Sequence, residues 1–114
     1  MSITEPDKID MMGIPIIDDG TVILGMTDHL EWFEDDMDSV KEHLLLIQEK
    51  INAYLRFIES GEIDEQFPSA KGRVPIIRLM SKYASPPSTD DFFTEVKRIL
   101  ETAGCKFQRV SDEK

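Results

Sequence analysis

The chain has 114 residues, of which 40% are hydrophobic and 32% charged, and its formal net charge is −10. This length suits one domain over residues 1–114 with a core of its own, and we expect flexible ends at 1–8 and 111–114. The acidity argues against nucleic acid as a partner, because phosphate binding depends on clustered lysines and arginines. No stretch approaches the ~20 apolar residues of a membrane span, so no membrane partner is expected.

The charge is unevenly distributed along the chain. Residues 1–65 hold 17 acidic and 4 basic side chains, net −13, whereas residues 66–114 hold 6 and 9, net +3. This asymmetry indicates either an acidic face that attracts a basic partner or a device for solubility alone. The single cysteine and an N-terminus without a secretory pattern favour the reducing cytoplasm.

The first two elements are predicted to be strands. Residues 9–14 form a short apolar stretch, and residues 21–27 alternate, with Val22, Leu24 and Met26 on one side. The turn residues 17–20 between them predict a β-hairpin.

An acidic segment, residues 28–38, follows the second strand and predicts a loop or a single helical turn. It contains six acids together with Trp32 and Phe33. One interpretation is that both aromatic rings anchor the segment on the core and leave the carboxylates outward. The other is a binding surface that combines an aromatic anchor with electrostatic steering. The candidate partner-binding residues are Asp28, Glu31, Trp32, Glu34, Asp35, Asp36 and Asp38.

Residues 39–60 predict a long amphipathic helix. Ser39 and Glu42 fit a capping box at its start, and Gly61 supplies the stop. A first apolar face follows the helical repeat, with Val40, Leu44, Ile47, Ile51, Tyr54, Leu55 and Ile58. A flank stripe of Leu46, Ala53 and Phe57 is either covered by another element of the domain or is a face for homodimerisation.

The remainder predicts a loop at 62–72, a strand at 73–83 and, after a proline-rich break, a second helix and a short strand at 105–110. Pro75 restricts the start of the third strand to an unpaired or edge position. The second helix is expected to be capped by Ser88 or Thr89 and to end at Gly104. Its predicted inner face contains Phe92, Val96, Ile99 and Ala103.

The order β-β-α-β-α-β predicts an α+β fold in which two helices pack on one face of a four-stranded mixed sheet. If the last two strands are parallel neighbours, their crossover should be right-handed.

No constellation of residues indicates catalysis. The two histidines, His29 and His43, are expected to be solvated, although with nearby acids they could supply the ligands of a metal site. Cys105 lacks an evident base and is expected to be a small buried apolar residue. We therefore predict no catalytic residue, no metal and no cofactor.

Three stretches resemble a family of small uncharacterised bacterial proteins: residues 5–13, Asp28-His29-Leu30-Glu31-Trp32, and the run from Gln48 to Glu62 that reads QEKINAYLRFIESGE. The resemblance implies a shared fold and transfers no active site. By size, charge and architecture alone, the chain also loosely resembles immunity proteins of contact-dependent inhibition systems.

These observations favour a non-catalytic acidic binding protein, most concretely an immunity protein that covers the basic active site of a cognate toxin such as a nuclease. A monomer or a homodimer is compatible with this function. The alternatives are a small housekeeping or regulatory homodimer, and a small metal-dependent enzyme that uses His29 and His43.

Overall fold

The computed structural model describes residues 3–4, 9–17 and 20–112. The elements are β1 (Met11–Gly13), β2 (Thr21–Asp28), α1 (Met37–Glu59), α2 (Glu62–Gln66), β3 (Val74–Ser81), α3 (Asp90–Thr102) and β4 (Lys106–Ser111). Single 3-10 turns at Pro68–Ala70 and Pro87–Thr89 precede β3 and α3. The predicted order β-β-α-β-α-β is confirmed, with α2 added where a loop was expected.

The four strands form one mixed sheet in the order β1-β2-β3-β4. β1 and β2 pair antiparallel as predicted for a hairpin, although residues 18 and 19 of its turn lie outside the described residues. β2, β3 and β4 are parallel to one another. The helices α1 and α3 serve as the two crossovers, so the α+β architecture expected from the sequence is confirmed.

Alternation along the strands places one face of the sheet under the helices. Val22, Leu24 and Met26 of β2 are fully buried, and Ile77 and Leu79 lie beside Leu24 and Met26 on β3. Buried residues of α1 and α3 join these side chains in a single core cluster. Both helices therefore pack on the same face of the sheet.

The helix α1 begins earlier than the capping box predicts. Asp36 is the N-cap, and its side chain accepts hydrogen bonds from the backbone N–H groups of Asp38 and Ser39. An aspartate carboxylate in this position neutralises part of the positive helix end, so it replaces Ser39 as the cap. At the other end, Gly61 adopts the left-handed conformation expected of a residue that stops a helix.

The inner face of α3 agrees with the prediction at Val96 and differs from it on either side. Phe93, Val96 and Leu100 are buried, whereas Ile99 is 46% exposed and Ala103 is exposed. A 3-10 turn leads into the helix, and the Thr89 hydroxyl donates to the carbonyl of Pro86 instead of capping. The helix begins directly after Thr89, one of the two predicted cap positions, and the buried Phe93 and Leu100 lie one residue later than the predicted Phe92 and Ile99.

Two further features of the chain refine the sequence prediction. Pro75 pairs with Val22 of β2, while β4 pairs with β3 from Ile76 onward, so the missing N–H of Pro75 lies where β3 has one neighbour.

Of the ends expected to be flexible, Ile3 is fully buried and its N–H donates to the carbonyl of Thr27 at 2.9 Å. Ser111 belongs to β4 and pairs with Ser81.

Candidate functional site at the carboxyl edge of the sheet

The three parallel strands end side by side. Asp28 of β2 lies beside Ser81 of β3, which lies beside Ser111 of β4. The acidic segment leaves the sheet at this edge, because it continues directly from β2. In open sheets with parallel strands, the carboxyl ends are the usual place for ligands.

Asp28 was a candidate partner-binding residue, but the structure places it in the interior. Its side chain is 1% exposed, and Oδ2 lies 2.6 Å from Nε2 of His43, which is 5% exposed. Because a carboxylate accepts only, the imidazole N–H donates this hydrogen bond. The second oxygen of Asp28 accepts from the backbone N–H of Leu30 at 3.1 Å. These two hydrogen bonds link the start of the acidic segment to His43 of α1 and fix the backbone at Leu30.

His43 was expected to be solvated, and this expectation is wrong. Its ring stacks on the Trp32 indole with a centroid distance of 3.6 Å and an interplanar angle of 11°. His43 lies four residues before Ile47 on α1 and therefore shares the buried face of the helix. Asp28, His43 and Trp32 form one cluster that holds the acidic segment against α1.

Glu31 and residues 33–38 of the acidic segment face solvent. Two large apolar side chains are exposed there, Phe33 by 57% and Met37 by 53%. Trp32 alone of the two aromatic rings therefore anchors the segment, and Phe33 does not. The exposed carboxylates around them are Glu31, Glu34, Asp35, Asp36 and Asp38.

A second polar network lies beneath α1, and the sequence did not indicate it. Lys50 is fully buried, and its Nζ lies 2.9 Å from Oδ1 of Asp10. The other oxygen of Asp10 accepts from the Thr27 N–H at 3.0 Å. The Tyr54 hydroxyl accepts from the Asp10 N–H and donates to the carbonyl of Gly25 at 2.6 Å. This network connects the segment before β1 to β2 and α1.

Burial raises the pKa of the Tyr54 hydroxyl well above its usual range, because the phenolate would lose its hydration. The group therefore remains a neutral hydroxyl, able to donate to Gly25, throughout the physiological pH range. Burial likewise raises the pKa of the Cys105 thiol, and Glu59 adds to the effect. Cys105 is buried, as predicted.

The helical repeat places Lys50 and His43 on the apolar face of α1, so their burial could have been predicted from the sequence. Lys50 lies three residues after Ile47 and four before Tyr54, so it falls on the apolar face of the helix. Its partner was not readable, because Asp10 is distant in the chain and only the fold brings it near. A buried lysine requires such a partner.

The flank stripe does not form an open surface. Phe57 is 6% exposed and belongs to the core, while Leu46 and Ala53 are partly buried.

His29 is exposed, whereas His43 is buried. Across the described ranges, no three or more His, Cys, Asp and Glu side chains group as metal ligands would. No helix in those ranges is long and apolar enough to cross a membrane.

The fold and this edge define a small two-layer α+β protein with an open mixed sheet and an acidic segment at the carboxyl ends of its strands. The chain belongs to DUF6572, a family of unknown function, whose sequence model matches residues 1–112. No curated protein and no solved structure shows significant similarity to it.

Proposed function

We propose that this protein is a non-catalytic binding protein of the cytoplasm whose acidic segment covers a basic surface of another protein. In its most concrete form it is an immunity protein that neutralises a cognate bacterial toxin, such as a nuclease. The observation that carries the proposal is the exposed pair Phe33 and Met37, which lies among five exposed carboxylates.

This arrangement has the chemistry of a protein interface. Interfaces are typically organised as apolar anchors near the centre with polar and charged groups around them, and aromatic residues and methionine are enriched there. Phe33 and Met37 supply two such anchors. The surrounding carboxylates would accelerate encounter with a basic partner and disfavour acidic ones.

The segment is also held in place before any partner arrives. Trp32 stacks on His43, Asp28 bonds the backbone of Leu30, and Asp36 caps α1. Ordering a loop on binding weakens an interface, so a segment already held by its own fold binds with less entropic loss. These contacts support a surface built for recognition.

Charge reversal tests the surface without disturbing its supports. We would change Glu34→Lys and Asp35→Lys together, and leave Asp28 and Asp36 untouched because they carry structural hydrogen bonds. The matched control is Glu49→Lys with Glu101→Lys, since both acids are exposed on helices outside the segment. Both variants have the same net charge.

Tagged wild-type protein and both variants would be used to capture partners from the native bacterium, followed by mass spectrometry. We expect a basic toxin domain on the wild type and the control, and its loss from the Glu34/Asp35 variant. The purified domain should then be inhibited at equimolar protein. Equal capture by both variants, or full toxin activity in the presence of the wild type, would contradict the proposal.

With the purified partner, binding kinetics should distinguish the role of the acidic side chains from that of Phe33. Charge reversal should lower the association rate constant and weaken its salt dependence. Phe33→Ala should chiefly raise the dissociation rate constant, with an affinity loss of about tenfold or more. Unchanged kinetics in both variants would remove this surface from the proposal.

A further inference from the structure

We propose that a cleft between α3 and the carboxyl ends of β3 and β4 binds a small molecule that carries a carboxylate or phosphate on a flat apolar body. The cleft has a volume of about 570 Å³. Sites for small ligands commonly range from about 300 to 1,000 Å³ and occur outside the carboxyl ends of strands in open sheets. The cleft does not include the acidic segment, so this proposal is independent of the proposed protein partner.

Strand register explains why a cationic side chain lines this cleft. Arg109 of β4 lies beside Leu79 of β3, and Leu79 is on the helix-covered face. Its guanidinium carbon lies 4.1 Å from the centroid of the Phe93 ring on α3, and its Nη1 donates to the Ser85 hydroxyl at 3.1 Å. The guanidinium is therefore oriented by an aromatic face and one hydroxyl.

Among the residues that the structure describes, the two cations of the cleft have no carboxylate partner. Lys97 follows Phe93 by one helical turn on α3 and lines the cleft together with Arg109. Within the part of the chain that the structure describes, neither Arg109 nor Lys97 forms an ion pair. In a protein of net charge −10, two cations that line one cleft and form no ion pair with any described residue favour an anionic ligand.

The remaining lining selects the shape of that ligand. The ring centroids of Phe93 and Phe107 lie 6.3 Å apart with an interplanar angle of 13°. Phe93 is buried, so the partly buried Phe107 supplies most of the apolar floor of the cleft. Hydroxyls of Ser81 and Thr94 line the same cleft and offer hydrogen bonds to an oxyanion. Arginine binds both carboxylate and phosphate in a bidentate manner, so the shared chemistry is a planar group bearing either oxyanion.

Among the described residues that line the cleft, Asp90 is the one carboxylate. It lies in the first turn of α3 and reduces the net charge of the lining. This predicts that its removal strengthens anion binding, whereas removal of either cation weakens it. The opposite signs separate a direct electrostatic effect from general damage to the fold.

The experiment is a heteronuclear NMR titration of the full chain with benzoate, phenyl phosphate, inorganic phosphate and neutral benzamide. We expect saturable shifts at Ser85, Phe93 and Arg109 with benzoate or phenyl phosphate, and weaker shifts at the same residues with inorganic phosphate. The stronger of the two aromatic ligands identifies the oxyanion. Benzamide should bind at least tenfold more weakly.

Arg109→Gln and Lys97→Gln should each weaken binding of the stronger ligand by about tenfold, as expected for charge-assisted hydrogen bonds. Asp90→Asn should strengthen it by about threefold, since a screened like charge is removed. Lys106→Gln is the matched control, because Lys106 pairs with Ile76 and therefore lies on the other face of β4.

The inference is overturned if none of the four probes gives saturable shifts at the cleft, or if benzamide binds as tightly as benzoate. It is also overturned if Arg109→Gln retains wild-type affinity, or if Lys106→Gln loses as much affinity as Arg109→Gln. The folded state of each variant is checked in the same spectra.

Discussion

The two helix-on-sheet contacts of this protein are made with different chemistry. Beneath α1, the interior holds two charged or polar pairs, Asp10 with Lys50 and Asp28 with His43. Beneath α3, the buried side chains of the helix are apolar: Phe93, Val96 and Leu100. Among the described residues, the acidic half of the chain therefore buries charged side chains, and the basic half does not.

This difference in chemistry determines how precisely each contact fixes the position of its helix on the sheet. Apolar packing stabilises in proportion to the area buried and tolerates small shifts. A buried ion pair adds little over apolar residues of the same size, but any arrangement that separates its partners is strongly penalised. Accordingly, α1 is held in one position relative to β2, and this position is what brings His43 under Trp32 in the acidic segment.

The largest expected effect comes from breaking the deeper pair. Lys50→Met leaves the Asp10 carboxylate without its cation in the interior, and we expect a loss of about 3–5 kcal/mol in the free energy of unfolding. Urea denaturation monitored by circular dichroism measures it. Asp10→Asn combined with Lys50→Met should recover part of the loss; a double variant less stable than Lys50→Met would contradict this account.

A somewhat smaller loss is expected in the apolar contact. Leu100 is fully buried on α3, so Leu100→Ala should cost about 3 kcal/mol through lost burial and the cavity left behind. Ile99→Ala is the matched control, because the neighbouring side chain is 46% exposed, and it should cost under about 1 kcal/mol. Equal losses in thermal or urea unfolding would show that the helix packs on a different face.

The smallest effect is expected at Tyr54 and should depend on pH. Tyr54→Phe removes the bond to Gly25 and leaves the Asp10 N–H without its acceptor, which should cost about 2 kcal/mol at pH 7. Burial raises the Tyr54 pKa in the folded state, so its stabilising effect is complete below the unfolded value near 10 and decreases as the pH rises above it.

The difference in unfolding free energy between wild type and Tyr54→Phe should therefore narrow above about pH 10. Tyr83→Phe, compared with the wild type over the same pH range, controls for general alkaline effects on the protein. A constant difference from pH 7 to 11 would contradict the buried neutral hydroxyl.

Local patterns predicted most of the architecture. Alternation in β2 and β3, the helical repeat of α1 and the positions of Gly61 and Gly104 were sufficient for the element order and the mixed sheet. Boundaries were less well predicted where two residues compete for one role, as Asp36 and Ser39 do for the cap of α1. The short helix α2 was missed, because five residues carry too little periodicity to indicate a helix.

The candidate site was predicted in part. The exposed positions of Glu31, Glu34 and Asp35 agree with the expectation of outward carboxylates. Asp28 is also acidic and lies in the same segment, yet it is buried. The difference arises because Asp28 is the last residue of β2 and continues the inward alternation of Leu24 and Met26, so strand register outweighs its polarity.

The sequence by itself determined the order of the strands and the two long helices, the acidic segment and the apolar face of α1, since these depend on residues close together in the chain. Only the tertiary structure decided which charges are buried and which cations line a cleft. Asp10 meets Lys50 across 40 residues, and Arg109 meets Ser85 across 24. Such pairs follow from how strands and helices are arranged in space, and no local pattern encodes that arrangement.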